Sequence, residues 1–157
     1  MADETKNDVR LPPRWFIRSA WKFHKGLYRI TGERFGLRRA KADRWGMMHV
    51  TTIGRRSGQE RSVILGYFDD GPNLVTMAMN GWGEAEPAWW LNMQAQPEVK
   101  VVTRDGGRRM LGRAAIGDER ERLWNRWREI DKDLDQYAAR RPGQTAVVIL
   151  EPIGNPA

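Results

Sequence analysis

From residue 45 onward the sequence is a series of short extended runs, separated by segments rich in glycine, proline, asparagine and aspartate. The turn segments 69–73 (DDGPN) and 104–107 (RDGG) fit β-hairpins. The runs predict six strands, at 46–53, 62–68, 73–79, 99–103, 108–116 and 145–150. Strands with such short connections predict a closed or partly closed antiparallel barrel, because closure removes exposed sheet edges.

Two helices interrupt this β pattern. Pro87 is expected to start the first one, since proline is favoured at the first helical position. Asp118 is expected to cap the second. Apolar residues then recur at helical spacing and predict a face that packs on the core or lines a pocket: Leu123, Trp124, Trp127, Ile130 and Leu134. For the two tryptophans of this face, core packing is the favoured interpretation.

Residues 13–30 have the pattern of a basic amphipathic helix that begins after Pro12. One stripe is basic and contains Arg14, Arg18, Lys22, Lys25 and Arg29, and the opposite face is apolar. Two interpretations stay open. The helix packs on the domain with a solvated polar face, or it docks on an anionic membrane surface. Residues 1–12 are polar enough to be a loose segment, and residues 13–157 are expected to form one domain.

Composition excludes several classes of site. The 157 residues contain no cysteine and only two histidines, so disulfides and thiolate chemistry are excluded and no metal site is predicted. The net charge of +7 favours anionic partners. Nucleic acid is not expected, because its usual binding motifs are missing. Neither a spanning segment nor a signal peptide is recognisable, so the expected location is the cytoplasm or the inner face of the membrane.

The segment 54–61 (GRRSGQER) has the chemistry of an anion site. Gly54 and Gly58 allow a tight turn that exposes backbone N–H groups, and Ser57 adds a hydroxyl donor. Arg55, Arg56 and Arg61 add forked cationic donors. The alternative is an ordinary hairpin with solvated arginines. The glycine spacing matches neither the dinucleotide fingerprint nor the triphosphate-binding loop.

The segment 80–92 (NGWGEAEPAWWLN) could seat a planar ring. The indoles of Trp82, Trp89 and Trp90 offer flat apolar faces beside flexible glycines. The alternative is core packing, which is the preferred interpretation for Trp90. Because the chain contains no cysteine and no convincing nucleophile–base pair, chemistry at such a site would depend on a cofactor.

The order of four motifs resembles the deazaflavin-dependent nitroreductase family: TTIGRRSGQ (51–59), PAWWLNM (87–93), QAQPEV (94–99) and VVILEP (147–152). The resemblance covers about residues 45 to 152. It implies an α+β, mainly β fold, an FMN-binding-like split β-barrel, and the reduced 8-hydroxy-5-deazaflavin coenzyme F420 of actinobacteria. Several members of the family reduce quinones or nitroaromatics, and some associate with membranes through an N-terminal helix.

The resemblance also implies roles for individual residues. The coenzyme's phosphate and acidic tail would contact the loop residues Arg55, Arg56, Ser57, Gly58 and Arg61. Its ring would be lined by Ile64, Leu65, Ala78, Met79, Asn80, Ala88, Trp89 and Asn92. This chain departs from the family at 79–82, where Met-Asn-Gly-Trp replaces Ser-Lys-Gly-Gly, and at Gly66, where the best-known nitroreductase has a tyrosine. A late tyrosine cluster is reduced to Tyr137.

The resulting hypothesis is an F420H2-dependent reductase that transfers hydride to a quinone-like or nitroaromatic acceptor. Tyr137 would contact the acceptor, and Met79, Trp82 and Gly66 would leave a broad apolar mouth for it. Two alternatives stay open, a non-catalytic barrel that binds an anionic lipid or ligand, and a split barrel that binds flavin or haem. The sequence does not specify the oligomeric state.

Overall fold

The computed structural model describes residues 36–81 and 83–154. These residues form a closed barrel with the strand order β1-β2-β3-β6-β5-β4, in which every pairing is antiparallel and β4 pairs back onto β1. The six strands are β1 (Gly46–Ile53), β2 (Glu60–Asp70), β3 (Asn73–Met77), β4 (Glu98–Thr103), β5 (Gly106–Ala114) and β6 (Val147–Pro152). The six-stranded antiparallel barrel predicted from the sequence is confirmed.

Within residues 36–81 and 83–154, three helices accompany the strands: α1 (Ala88–Ala95), α2 (Gly117–Ile130) and α3 (Leu134–Ala138). Pro87 is the N-cap of α1, as the sequence predicts to within one residue. The apolar face predicted for the second helix is divided between α2 and the short α3, because the helix ends at Ile130. The amphipathic helix predicted at 13–30 lies outside the described residues.

Both faces of the barrel wall are packed. Side chains from all six strands fill the interior, and Trp89, Trp90 and Met93 of α1 complete this cluster. A second buried cluster joins Phe68, Val75 and Ile149 to the apolar faces of α2 and α3. Alternating side chains of one strand therefore serve two different cores. Burial on both faces explains why the sequences of β3 and β6 are largely apolar.

The start of α2 differs from the prediction. The helix begins at Gly117, and its N-cap is Ile116, which makes no side-chain hydrogen bond. Asp118 lies in the first turn, so the prediction that it caps the helix is wrong. Gly117 has a φ of 58°. This left-handed conformation, which glycine adopts without strain, turns the chain into the helix one residue earlier.

β2 and β3 separate at one end of the barrel. β2 pairs with β1 from Glu60 to Tyr67, but it pairs with β3 only from Phe68 to Asp70. Among the described residues, no strand pairs with the other edge of β2 before Phe68. Alternate residues of an antiparallel strand direct their N–H and C=O groups to the same edge, so some peptide groups of this stretch face the opening.

Helix α1 sits against β5 at Gly112. A Cβ atom at Gly112 would collide with Met93 Sδ and would lie 2.7 Å from Met93 Cγ. Met93 is completely buried and has little room to move. The absence of a side chain at Gly112 therefore allows α1 to close one end of the barrel.

We expect Gly112→Ala to lower the free energy of unfolding by about 1–3 kcal/mol, because the added methyl group overpacks the contact with α1. Urea unfolding followed by tryptophan fluorescence measures the change. Gly143→Ala is the matched control, since a Cβ atom at Gly143 meets nothing within 4 Å. Equal effects of the two substitutions would contradict the proposed contact.

Candidate functional site

The β1–β2 loop is a closed turn held by its own backbone. Gly54 N donates to Gln59 O at 2.8 Å, and Gly58 N donates to Gly54 O at 2.8 Å. Gly58 has a φ of 69°, which glycine adopts without strain. Ser57 Oγ accepts a hydrogen bond from Gln59 N at 3.2 Å. The Ser57 hydroxyl hydrogen can still be donated outward, so the loop keeps the donor predicted from the sequence.

Asn92 fastens this loop to α1. Its Oδ1 accepts hydrogen bonds from Arg55 N at 3.1 Å and from Arg55 Nη1 at 3.2 Å. Its Nδ2 donates to Thr52 Oγ1 at 3.2 Å. Asn92 is only 4% exposed. Its amide is therefore engaged within the protein, and any contribution to a ring pocket comes from fixing the loop and α1 relative to each other.

Arg56 and Arg61 differ from most arginines of the barrel. Several exposed arginines form ion pairs with carboxylates, as in Arg39–Asp105 and Arg122–Asp70. Arg56 and Arg61 are also exposed, but neither forms an ion pair or a side-chain hydrogen bond with any residue in the described ranges. The loop and the adjoining start of β2 thus carry two guanidinium groups that can bind an anion without first breaking an ion pair with a described residue.

The ring-pocket residues implied by the resemblance fall into three groups. Leu65, Ala78 and Trp89 belong to the barrel interior, and Trp89 is only 7% exposed. Ile64 and Met79 are half-buried, and Asn80 and Ala88 are exposed. Ile64 and Leu65 also lie on the stretch of β2 that does not pair with β3. A bound ring could reach the buried residues only at their edges or through their backbone, whereas the exposed residues are directly accessible.

The prediction of an apolar opening at Gly66 is wrong, because the Trp45 side chain lies against this residue. A Cβ atom at Gly66 would lie 3.2 Å from Trp45 Cδ1 and 3.5 Å from Trp45 Nε1. The Trp45 indole stacks on Trp127 with ring centroids 5.2 Å apart. The lack of a side chain at residue 66 therefore accommodates an aromatic stack and leaves no opening. Met79 packs partly against the same cluster, and Trp82 is outside the described residues.

Sequence reasoning missed Arg141, whose side chain is only 2% exposed. Its guanidinium donates to Ala78 O at 3.0 Å, Gly83 O at 3.2 Å and Thr145 Oγ1 at 2.9 Å. It also pairs with Glu86 Oε1 at 3.0 Å. The sequence does not predict that Arg141 is buried, because it lies in a polar segment before Pro142-Gly143 and most of its partners are distant in the chain.

Tyr137 lies on α3 and is half-buried. Its N–H donates to Asp133 O at 3.1 Å, and its carbonyl accepts from Arg140 N at 3.2 Å. Burial raises the pKa of the nearby Asp131 carboxyl. Hydrogen bonds from the Trp124 indole and from Arg128 lower the pKa of Asp135. Arg141 follows Tyr137 by four residues, and its N–H donates to Ala138 O at 3.1 Å, just after α3 ends.

Two kinds of feature are missing from residues 36–81 and 83–154. These ranges contain no group of three or more His, Cys, Asp or Glu side chains that could hold a metal ion. They also contain no helix that is long and apolar enough to cross a membrane.

We expect Asn92→Ala to release the β1–β2 loop and to cost about 1–3 kcal/mol of stability, because buried partners lose their hydrogen bonds. Trypsin cleavage after Arg55 and Arg56 should become faster, which mass spectrometry of the fragments would show. Gln94→Ala is the control, since Gln94 lies on the same helix but is exposed. Unchanged cleavage in Asn92→Ala would contradict the role of this amide.

A protein-family model matches most of this chain. Residues 21–152 match the family model described as F420H(2)-dependent quinone reductase. The F420H(2)-dependent quinone reductase Rv1261c of Mycobacterium tuberculosis is 31% identical over 80 residues, which are 51% of this chain and 52% of that protein. The chain thus spans about half the length of this relative. A second protein of the organism, Rv3178, whose name refers to the same activity, is 30% identical over 62% of this chain and 82% of its own length.

Solved structures agree with the fold. The F420-H2 dependent reductase FDR-A superposes with a TM-score of 0.61 at 27% identity, over 67% of this chain and 93% of that structure. The split-barrel fold implied by the sequence resemblance is therefore confirmed. These matches do not favour the two alternatives, a non-catalytic anion-binding barrel and a flavin- or haem-binding barrel. Because the family model covers most of the chain, this protein belongs to the F420H2-dependent quinone reductase family.

Proposed function

We propose that this protein is a reductase that uses reduced F420 to transfer hydride to a quinone-like acceptor. The observation that carries the proposal is the pair Arg56 and Arg61, two exposed guanidinium groups without an ion pair among the described residues. Arg56 lies in the loop that Asn92 holds against α1, and Arg61 is the second residue of β2, directly after this loop. Membership of the F420H2-dependent family supports the choice of coenzyme.

The residues present fit the anionic part of the coenzyme. Arg56, Arg61 and the Ser57 hydroxyl would bind its phosphate and acidic tail, and the N–H groups around Gly58 would add weaker donors. A hydrogen bond to a charged group contributes roughly 1.5–3 kcal/mol when partly shielded from water. Arg55 has a different role in this proposal, because its guanidinium and its N–H both bind Asn92. It would stabilise the loop and would contact the anion only with its remaining donors.

The ring would bind where β2 leaves β3. Peptide groups near Ile64 and Leu65, the segment 78–80 and the exposed Ala88 would surround it, with Trp89 closing the site from the barrel interior. When bound, reduced F420 supplies a hydride from its ring carbon. The protein's contribution is to hold the donor carbon and the acceptor within about 3–3.5 Å, and such positioning can lower a barrier by several kcal/mol.

The acceptor we favour is a quinone rather than a nitroimidazole. The segment 79–82 has Met and Asn where the family commonly has Ser and Lys. It therefore lacks a hydroxyl and a cation that could stabilise the negative charge on a nitro group during reduction. Half-buried Met79 instead offers a soft apolar surface to a quinone ring.

Removing the guanidinium groups of Arg56 and Arg61 tests the coenzyme site. We expect Arg56→Ala/Arg61→Ala to raise the dissociation constant of F420 by about a hundredfold, because two charge-assisted hydrogen bonds are lost. Quenching of tryptophan fluorescence during titration with oxidised and reduced F420 measures this constant. Flavin mononucleotide serves as the competing ligand, and the unaltered chain should bind it much more weakly.

The matched control is Arg104→Ala/Arg108→Ala, which removes the same charge. Both residues are exposed, and they flank the β4–β5 turn. The pairing of His49 with Val102 and of Thr51 with Lys100 puts that turn at the opposite end of β1 from the loop. Equal weakening by both double variants would show a general charge effect and would count against a site at the loop.

We further propose that Tyr137 contacts the acceptor and donates a proton to its oxygen, directly or through water. The support is its position four residues before Arg141, whose guanidinium binds the carbonyl of Ala78. Tyr137→Phe should lower quinone turnover by about a hundredfold, in the usual range for general acid catalysis. The F420 dissociation constant should stay unchanged. Steady-state turnover together with the fluorescence titration separates the two effects, and unchanged turnover would eliminate this role.

Attachment to the inner face of the membrane is a third proposal, supported by the basic stripe at 14–29. Each basic residue near an anionic surface adds about 1 kcal/mol, reduced by salt. The chain should therefore sediment with phosphatidylserine vesicles at low salt and should be released by high salt. Lys22→Glu/Lys25→Glu should abolish sedimentation, whereas the control Arg104→Glu/Arg108→Glu should retain it. Equal binding to neutral phosphatidylcholine vesicles would contradict the proposal.

A further inference from the structure

Arg141 connects three parts of the chain that are distant in sequence. Its guanidinium binds the carbonyl of Ala78 at the end of β3, the carbonyl of Gly83, and Glu86 immediately before the Pro87 cap of α1. It also binds Thr145 Oγ1, two residues before β6 begins. In the segment Ala78–Glu86, which joins β3 to α1, the described residues Ala78, Gly83 and Glu86 therefore all bind one buried cation.

The Arg141–Glu86 ion pair is expected to add little net stability, because burying its two charges is costly. A buried ion pair loses much of its attraction to desolvation, so such a pair is weak evidence for stability, and in some proteins it specifies one conformation instead. The Arg141–Glu86 pair is also incomplete, because Glu86 Oε2 is buried and accepts no hydrogen bond from the described residues. A single Lys could not replace Arg141, since its one nitrogen cannot reach four acceptors arranged around a planar fork.

The anchored segment carries residues of the proposed coenzyme site. Ala78, Met79 and Asn80 begin it, and Ala88 follows its end by two residues. Residues 78–81 and 83–86 make few backbone hydrogen bonds: Ala78 N to Ala146 O, Met79 N to Met77 O and Gly83 N to Asn80 O, each at 2.9 Å. Gly81 has a left-handed φ of 54°, which glycine adopts without strain. Because Ala78 is already bonded to the chain before β6, the loss of Arg141 would chiefly release Gly83 and Glu86.

We propose that Arg141 is a positioning residue for the coenzyme site, which holds the segment Ala78–Glu86 in the conformation that receives the ring. The proposal rests on the proposed function, because it takes F420 as the ligand. Arg141 acts through Ala78, Gly83 and Glu86 and does not itself touch the reacting atoms. Its loss should weaken ring binding more than it weakens the fold.

Two variants test this role. Arg141→Lys keeps the charge and loses the fork. Arg141→Met/Glu86→Gln removes the cation together with the carboxylate, so that no buried charge is left unpaired. Arg104→Lys is the control, since Arg104 is exposed in the β4–β5 turn. Hydrogen–deuterium exchange without ligand reports on the segment, and F420 titration and steady-state kinetics with a quinone report on the site.

In both Arg141 variants we expect the amides of residues 79–86 to exchange about tenfold faster, while the amides of the barrel strands keep their protection. The F420 dissociation constant and the KM for F420 should rise about tenfold, with kcat at saturating F420 changed less than threefold. Arg104→Lys should match the unaltered chain in every measurement. A purely structural role would instead lower protection throughout the barrel and leave coenzyme affinity unchanged in the folded fraction.

The remaining outcomes are distinct. Unchanged exchange at 79–86 would overturn the proposal, whatever the chain binds. Faster exchange with an F420 affinity within twofold of the unaltered chain would overturn the link between this segment and the site. If the unaltered chain binds no F420, the proposed function fails and the ligand-binding part of this proposal fails with it. The exchange measurement would still show whether Arg141 anchors the segment.

Discussion

Closure of the sheet between β4 and β1 is the constraint on which the rest of this structure depends. The ladder that pairs His49 with Val102, Val50 with Val101 and Thr51 with Lys100 turns a six-stranded sheet into a barrel with an enclosed interior. The apolar interior must be shielded from water at the end of the barrel, and Trp89, Trp90 and Met93 of α1 pack there. The helix that covers the barrel therefore also stands beside the β1–β2 loop, because Asn92 on the same helix binds Arg55.

Two polar side chains hold the loops of the candidate site in place. Asn92 joins the β1–β2 loop to α1, and Arg141 joins the segment Ala78–Glu86 to the chain before β6. Both side chains are buried. In the protein interior a hydrogen bond is electrostatically stronger than in water, and a polar group left without a hydrogen-bond partner is costly. Each therefore selects one loop conformation out of many. Hydrophobic packing alone would not do so, because it is non-directional.

Much of the fold follows from local patterns. Turn residues at 71–72 and 104–105 separate β2 from β3 and β4 from β5, as the hairpin signals predict. β1 has the predicted bounds, because Gly54 begins a turn immediately after its apolar run. Local reasoning fails where a glycine competes with a capping residue. Gly117 starts α2 before Asp118 can cap it, since a positive φ redirects the chain at the earlier position.

The candidate site divides in the same way. The β1–β2 loop is predicted from the sequence to bind an anion, because glycine, serine and arginine at close spacing have the donors that an anion needs. The chemical environment of each residue is not recognisable. The sequence suggests an opening at Gly66, but the Trp45 indole lies against this residue. It suggests a pocket residue at Asn92, but the oxygen and the nitrogen of its amide both form hydrogen bonds within the protein.

The sequence by itself determined the six-stranded barrel, the family, the arginine loop and the helix that starts at Pro87. These features depend on periodicity, turn chemistry and short motifs, and each such pattern involves residues that are close together in the sequence. Only the tertiary structure decided that Arg55 is held by Asn92 while Arg56 and Arg61 form no ion pair within the described part of the chain, that Trp45 fills the space at Gly66, and that Arg141 is buried. These outcomes depend on contacts between residues 21 to 63 positions apart, and pairing, burial and desolvation are properties of such contacts rather than of any single segment.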